Sequence, residues 1–213
     1  DGIRDLVRSR GLGDVYKRQV EGWGCGGCDF GSKTFPETIH EKSGGDCSVT
    51  LPNFLIIGAQ KSGSSWLAQM LGQHPDVFMY PKEIHFFDKK FNWEKGLDWY
   101  KSHFSEVKRE RFIGEKTPDY LWANGQGCED HLPDVHVNIH RTQGPAKLIV
   151  VLRNPVHRAI SAANHIIRSG RISPLHSLDE LLIGGKKHLL EPHGVIDYGF
   201  YCRQLEAYYE YFD

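Results

Sequence analysis

Residues Leu51 to Leu71 read LPNFLIIGAQKSGSSWLAQML, and the fold turns on how this stretch is read. Phe54-Leu55-Ile56-Ile57 is a short apolar run between Pro52 and Gly58, the pattern of a buried strand. After Gly58-Ala59-Gln60-Lys61-Ser62-Gly63-Ser64-Ser65, apolar residues return at Leu67, Met70 and Leu71. That i, i+3, i+4 spacing marks one buried helix face. A strand, a glycine-rich turn carrying a lysine and a helix together make an anion cradle. Backbone N–H groups and the positive end of the helix dipole converge there, and Lys61 adds a full charge. The expected ligand carries a phosphate or sulfate group. Taken alone, the turn would also suit an ordinary βα connection with a solvated lysine.

The nucleoside-triphosphatase loop places its lysine directly after the second glycine. Here Gly58 and Gly63 keep that glycine spacing, but Ser64 follows Gly63 and the lysine is inside the turn. A lysine leaving the turn from another point meets a different atom of the ligand. A second strand-to-helix unit, KLIVVLRNPVHRAISAANHIIRSG, runs from Lys147 to Gly170. Leu148 to Leu152 reads as a strand covered on both faces in a parallel sheet. Asn154 is a candidate N-cap, Pro155 fits the first helical position, and Gly170 closes the helix. Val156, Ile160, Ala163 and Ile167 would form its buried stripe. Arg153 then lies at the carboxyl end of a strand, the edge at which open α/β sheets bind ligands. Ser161 falls in the second turn. Read singly, Arg153 is a surface charge and Ser161 a packing residue.

Between these units lie residues suited to chemistry. Lys82-Glu83-Ile84-His85-Phe86-Phe87-Asp88 follows a strand-like segment, Val77 to Tyr80. If extended, it projects Glu83 and His85 to one face and Ile84 and Phe86 to the other. A carboxylate beside an imidazole suits proton transfer; a half-buried strand with solvated charges is the plainer alternative. Gly114-Glu115-Lys116-Thr117-Pro118-Asp119-Tyr120 adds a second lysine, Lys116, before a turn proline. Asp197 to Phe212 has Tyr201, Leu205, Tyr208 and Phe212 at helical spacing and reads as an aromatic core helix.

The anion turn, the Lys82–Asp88 and Gly114–Tyr120 segments and the Lys147–Gly170 unit, four motifs in chain order, resemble those of the sulfotransferases that use 3′-phosphoadenosine 5′-phosphosulfate (PAPS). The KEIHFFD element is similar to that of the heparan-sulfate-type, carbohydrate-acting branch. The resemblance spans Leu51 to Phe212. It implies an α/β fold with a central parallel sheet flanked by helices and a P-loop-like sulfotransferase design. It also implies that Lys61, Ser62, Gly63, Ser64 and Ser65 hold the 5′-phosphosulfate, and that Arg153 and Ser161 hold the 3′-phosphate. Glu83 becomes the catalytic base, with His85 and Asp88 orienting it or contacting the acceptor. Lys61 and Lys116 stabilise charge as sulfate leaves phosphate, with no metal called for, and Lys82, Asp88 and Lys116 face a carbohydrate acceptor. Family members continue past the aromatic helix into further elements and a loop that closes over the nucleotide. The chain therefore reads as the N-terminal and middle part of such a domain, 51–213, truncated at the C-terminus. Two rivals remain: a P-loop-type nucleotide kinase or phosphotransferase, and a non-catalytic anion- or glycan-binding fragment.

A length of 213 residues allows one α/β domain, and a net charge of −1 argues against a general nucleic-acid binder. No apolar run reaches membrane-span length, so no membrane segment is expected in this stretch. The compartment is not legible: the resemblance implies a lumenal Golgi domain in a eukaryote and the cytoplasm in a bacterium. Residues 1–50 read as an unstructured lead-in, and 1–19 resemble translated adaptor sequence. The CxxC at Cys25 and Cys28 lacks a second pair and reads as incidental; Cys47, Cys128 and Cys202 show no disulfide-like spacing. His131, His136 and His140 read as a solvated histidine-rich loop, not a metal cluster.

Overall fold

The computed structural model describes residues 51–123, 130–144 and 146–212. The lead-in with Cys25, Cys28 and Cys47, and likewise Cys128, lie outside the described residues. The apolar run forms strand β1 (Phe54–Gly58), buried along its whole length. There follow helix α1 (Ser64–Leu71), β2 (Val77–Met79), short helices α2 (Lys90–Trp93) and α3 (Gly96–Ser102), and β3 (Phe112–Lys116). A 3-10 turn, Pro118–Leu121, leads to α4 (Val135–Gln143), β4 (Lys147–Val150), α5 (Pro155–Arg168), α6 (Leu178–Leu182) and α7 (Tyr201–Tyr209). The strands lie in the order β2-β3-β1-β4 and every pairing is parallel. The expected parallel sheet is therefore present.

Alternation along β1 explains why its sequence is apolar throughout. Leu55 and Ile57 face a core with Phe87, Tyr100, Tyr120 and Ile139. Phe54 and Ile56 face the opposite side, against Ala68 of α1 with Leu67 and Leu71 at its margin. Met70 does not join that face; it is 37% exposed. The buried stripe of α1 is thus rotated by a residue toward Ala68, whose small side chain lets the helix approach the sheet.

Two further expectations about the second unit need correcting. The strand stops at Val150, is only partly buried, and leaves Leu152 exposed. Among the described residues β4 pairs only with β1, yet both its faces are covered as expected, Leu148 and Val150 packing on one cluster and Ile149 on the other. Val156 is exposed as well, because the first turn of α5 stands clear of the core. Burial in α5 starts with Arg158 and continues through Ala162, Ala163 and Ile166, which pack on Ile172, Leu181 and Leu190. Asn154 caps the helix as expected: its side chain accepts from the backbone N–H groups of Val156 (3.1 Å) and His157 (3.2 Å).

The histidine-rich stretch is not a solvated loop. His136 and His140 lie on α4, and His131 and His136 are buried. Trp122 covers His131, while Tyr208 and Tyr211 pack around His136. The imidazole rings of His131 and His136 serve as flat packing surfaces for Trp122, Tyr208 and Tyr211. That helix packs as expected, with Tyr208 in the core and Tyr201, Leu205 and Phe212 at its margin.

Gly114 marks the closest approach within the sheet. A Cβ there would sit 2.2 Å from Cζ of Phe54, the residue registered opposite it on β1. The ring is itself buried, so making room for a methyl group would disturb its packing. Gly114→Ala should therefore destabilise the fold by about 1–3 kcal/mol, read as a lower urea midpoint with an unchanged denaturant slope.

Candidate active site

Parallel strands place their carboxyl ends at one edge, and the candidate residues gather there. The chain leaves β1 at Gly58 and is clamped at once to the end of β4. Ala59 N–H donates to Val151 O and Val151 N–H donates to Gly58 O, both at 2.8 Å. Lys61 (φ 65°) and Gly63 (φ 100°) take left-handed conformations to complete the turn. At Gly63 the space for a Cβ is open, so the backbone angle, not crowding, calls for glycine. No side chain caps α1, so its first N–H groups point into the turn, the arrangement that binds anions. Ser62 Oγ is buried there without a hydrogen-bond partner. Such an orphaned donor beside an uncapped helix start suits a phosphate or sulfate ligand.

The cleft above this turn has a volume of about 490 Å³ and is lined by Gln60, Lys61, Ser64, Ser65, Glu83 and His165, among others. A depression of equal volume, around Phe78, Glu106, Val107 and Lys108, is lined by none of the candidate site residues. Lys116 reaches the cleft from β3: its ammonium donates to Glu83 Oε1 at 2.5 Å and to Ser65 Oγ at 3.1 Å. His85 Nε2 lies 3.4 Å from Glu83 Oε2, and its Nδ1 lies 2.9 Å from Asp88 Oδ2. Lysine, glutamate, histidine and aspartate thus form one continuous chain of charge.

Glu83 and His85 are brought together, but not by a strand. His85 has φ 54°, and the segment is a loop bent around its own core residues. Ile84, Phe86 and Phe87 are buried beneath it. Thr117 Oγ1 accepts from Ile84 N–H (3.2 Å), and the Tyr120 hydroxyl accepts from Phe86 N–H (3.0 Å). Asn92 donates to the carbonyls of Ile84 (3.0 Å) and His85 (3.2 Å). These positioning groups escaped the motif reading. Thr117 and Tyr120 stand inside a recognised motif, but Asn92 has no signal in the sequence.

The electrostatics follow from the packing. Burial alone would raise Glu83, yet hydrogen bonds and charge from His85 and Lys116 outweigh it and bring the carboxyl down to about 2. Burial alone would lower His85, but Asp88 and Glu83 outweigh it and lift the imidazole to about 10. His85 is therefore a cation at neutral pH and Glu83 is ionised. His85, Asp88 and Asp119 bring three potential ligand atoms within 4.8 Å of one another. With the imidazole protonated, that place already holds its positive charge, so a metal would first have to displace the proton.

The remaining candidates sort clearly. Asp88 is fully buried behind His85, so of its two expected roles the geometry serves orientation rather than contact with an acceptor. Lys82 is exposed, with no hydrogen bond or ion pair to any described residue of the cluster. Arg153 stands at the end of β4, where its Nη1 donates to the Lys61 carbonyl at 3.2 Å and so braces the anion turn. Tyr201 of α7 donates to the Arg153 carbonyl at 2.9 Å. Ser161 is half-buried on α5; His165, one turn later and hence on the same helix face, lines the cleft. His165 gave no motif signal. Its proton affinity is lowered by burial, then by Lys61 and two arginines, Arg171 and Arg168.

A parallel sheet thus carries an anion-binding turn at its carboxyl edge, with a lysine-bound carboxylate over that turn. Residues 51–213 match the model of the sulfotransferase domain family, so the chain belongs to that family. It is 27% identical over 170 residues to mouse heparan sulfate glucosamine 3-O-sulfotransferase 5, an alignment covering 78% of this chain and 46% of that protein. Mouse heparan sulfate glucosamine 3-O-sulfotransferase 3B1 is 31% identical over 179 residues, covering 83% of this chain and 43% of its own. The chain thus spans less than half the length of these relatives. Among solved structures, a sulfotransferase from Alicyclobacillus acidocaldarius superposes with a TM-score of 0.61 at 30% identity. That match covers 76% of this chain and 69% of the other.

Proposed function

We propose that the protein transfers a sulfuryl group from PAPS to a hydroxyl or amino group of a carbohydrate, with Glu83 as general base. The observation that carries this reading is the convergence of Lys116 and His85 on the two oxygens of Glu83, in the cleft that the anion turn opens into. Names of the relatives support a glycan acceptor, heparan sulfate in their case. When bound, PAPS supplies the sulfuryl group and, after transfer, leaves as the 3′,5′-bisphosphate. Lys61, Ser62 and the N–H groups of Gly63, Ser64 and Ser65 would hold its 5′ end, and Arg153 and Ser161 its 3′-phosphate.

The chain's own residues then have definite work. The acceptor oxygen or nitrogen attacks sulfur, the sulfur–oxygen bond to phosphate breaks, and the acceptor proton passes to Glu83. A carboxylate with an affinity near 2 is a weak base. Lys116 resolves this. Its ammonium is shared between Glu83 and Ser65 of the anion turn, so an anionic sulfuryl group arriving there competes for it. Drawing Lys116 toward the donor frees one oxygen of Glu83 and raises its basicity only when the donor is in place. Lys61 and Lys116 meanwhile offset the charge that builds on the leaving phosphate, an effect strengthened in a dry cleft.

The donor assignment is tested on the full-length protein by calorimetry. The bisphosphate 3′-phosphoadenosine 5′-phosphate should bind more tightly than AMP. Arg153→Ala should erase most of the difference, a loss of roughly tenfold or more for a charge-assisted contact. Equal affinity for the two nucleotides would remove the 3′-phosphate assignment, and magnesium-dependent ATP binding would favour a phosphotransferase. Binding without transfer to any carbohydrate would leave a non-catalytic anion- or glycan-binding module.

A further inference from the structure

Glu115, beside Lys116 on β3, is a buried acid that this mechanism leaves without a task. Neighbours on a strand project to opposite faces, so Lys116 reaches the cleft while Glu115 enters the core beneath it. It is fully buried, registered beside Leu55 of β1. Neither carboxyl oxygen has a hydrogen-bond partner of good geometry. Its polar neighbours are the hydroxyls of Tyr120 and Tyr100, with Asp88 and His85 close enough to be felt. An ionised, unpaired carboxylate in that setting would be very costly, whereas a protonated one is tolerated.

The two tyrosines connect this acid to the catalytic loop and to the helical layer. Tyr120 accepts from the Phe86 N–H in the middle of the loop that carries Glu83, His85 and Asp88. Tyr100 accepts from Gln143 Nε2 at 2.9 Å. Each hydroxyl has one bond made and its own proton still to place, so a neutral acid between them can both donate and accept. We propose that Glu115 is a positioning residue that works in its protonated form, closing a buried Tyr100–Glu115–Tyr120 knot that holds the Glu83–Asp88 loop against β3. The role rests on the reading of Glu83 as base; the protonation does not.

Two consequences follow from charge. Ionising Glu115 puts a second negative charge near Asp88, which is paired to His85, and sets the Tyr120 hydroxyl turning toward the new carboxylate. Burial lifts the group to about 8, so the loop should loosen just above neutrality. The charged and titratable groups facing it are Asp88 and His85 from the loop, Tyr100 from α3, Tyr120 from the 3-10 turn, and Tyr80 after β2. The tyrosines are pushed upward by burial, and His85 titrates near 10, so Glu115 is the group among them that changes charge near pH 8.

The test is a pair of measurements on the full-length protein. Infrared difference spectroscopy of the wild type should show a protonated carboxyl band at pH 7 that disappears near pH 8 and is missing in Glu115→Gln. The wild-type kcat should fall roughly tenfold per pH unit above that point, and Glu115→Gln should shift this alkaline limb upward by a unit or more. Glu115→Ala, which leaves both hydroxyls facing a cavity, should lower kcat at every pH without weakening binding of the bisphosphate, and Gln should rescue it. Absence of the band at pH 7, or an alkaline limb identical in wild type and Glu115→Gln, overturns the proposal. Should the wild type transfer no sulfate at all, the function reading fails while the infrared titration still tests Glu115.

Discussion

Glu83→Gln is expected to reduce sulfuryl transfer by at least about a hundredfold, the low end of what a positioned general base contributes. The substitution keeps the size of the side chain and one acceptor oxygen, enough for Lys116 or His85 but not for both, and removes its capacity to take a proton. Binding of the bisphosphate, which the proposed function assigns to the anion turn and Arg153, should stay within about twofold of wild type, since uniform binding and transition-state binding separate here. The competing assignments are His85 and Asp88. His85 holds its proton up to about 10 and cannot accept another at neutral pH, and Asp88 is sealed from the cleft. Near-normal transfer by Glu83→Gln, with an inactive His85→Ala or Asp88→Asn, would move the base elsewhere and leave family membership untouched.

Lys116→Ala should have the second large effect, and through two routes. Removing a cation aimed at developing charge costs about 10²–10³ in turnover where such groups have been removed from other sites. The same change removes a hydrogen bond and a charge that hold Glu83 near 2, so the carboxyl should titrate at higher pH in the ligand-free variant. The sign of the pH dependence is fixed by this. Glu83 is depressed in the folded protein, so its pairing stabilises the fold above the unfolded value of about 4.5 and is lost as pH falls toward 2. In Lys116→Ala that acid-labile contribution shrinks, and urea unfolding between pH 5 and 3 should show a shallower loss. His85 behaves in the opposite sense. Its contribution is complete below about 6.5 and disappears as pH rises through about 10.

Local chemistry made much of this legible before any coordinates. The strand, turn and helix from Phe54 to Leu71 are encoded by contiguous residues, as is the Asn154–Pro155 start of α5, where the cap and the first-turn proline are neighbours. Glu83, Lys116 and Lys61 were recognisable because each stands in a short motif. What failed was whatever depends on distant parts of the chain. Met70 and Val156 sit on apolar stripes by spacing, yet the sheet and Ala68 choose a slightly different face. The pairing of Glu83 with His85 arises from a left-handed residue and from Thr117, Tyr120 and Asn92, not from strand alternation. His131 and His136, which composition would place in water, are buried because distant aromatic residues cover them, Trp122 the first and Tyr208 and Tyr211 the second. Glu115 looks like any charged strand residue until β1 and the tyrosines close around it.

The most direct test of the central claim is transfer from PAPS labelled in its sulfuryl group, using the full-length protein and heparan sulfate as acceptor. The expected result is label appearing in the polysaccharide in step with release of the 3′,5′-bisphosphate, with both signals falling together in Glu83→Gln. Label that stays on the nucleotide while the bisphosphate binds normally would contradict it, as would transfer that proceeds at the wild-type rate without Glu83.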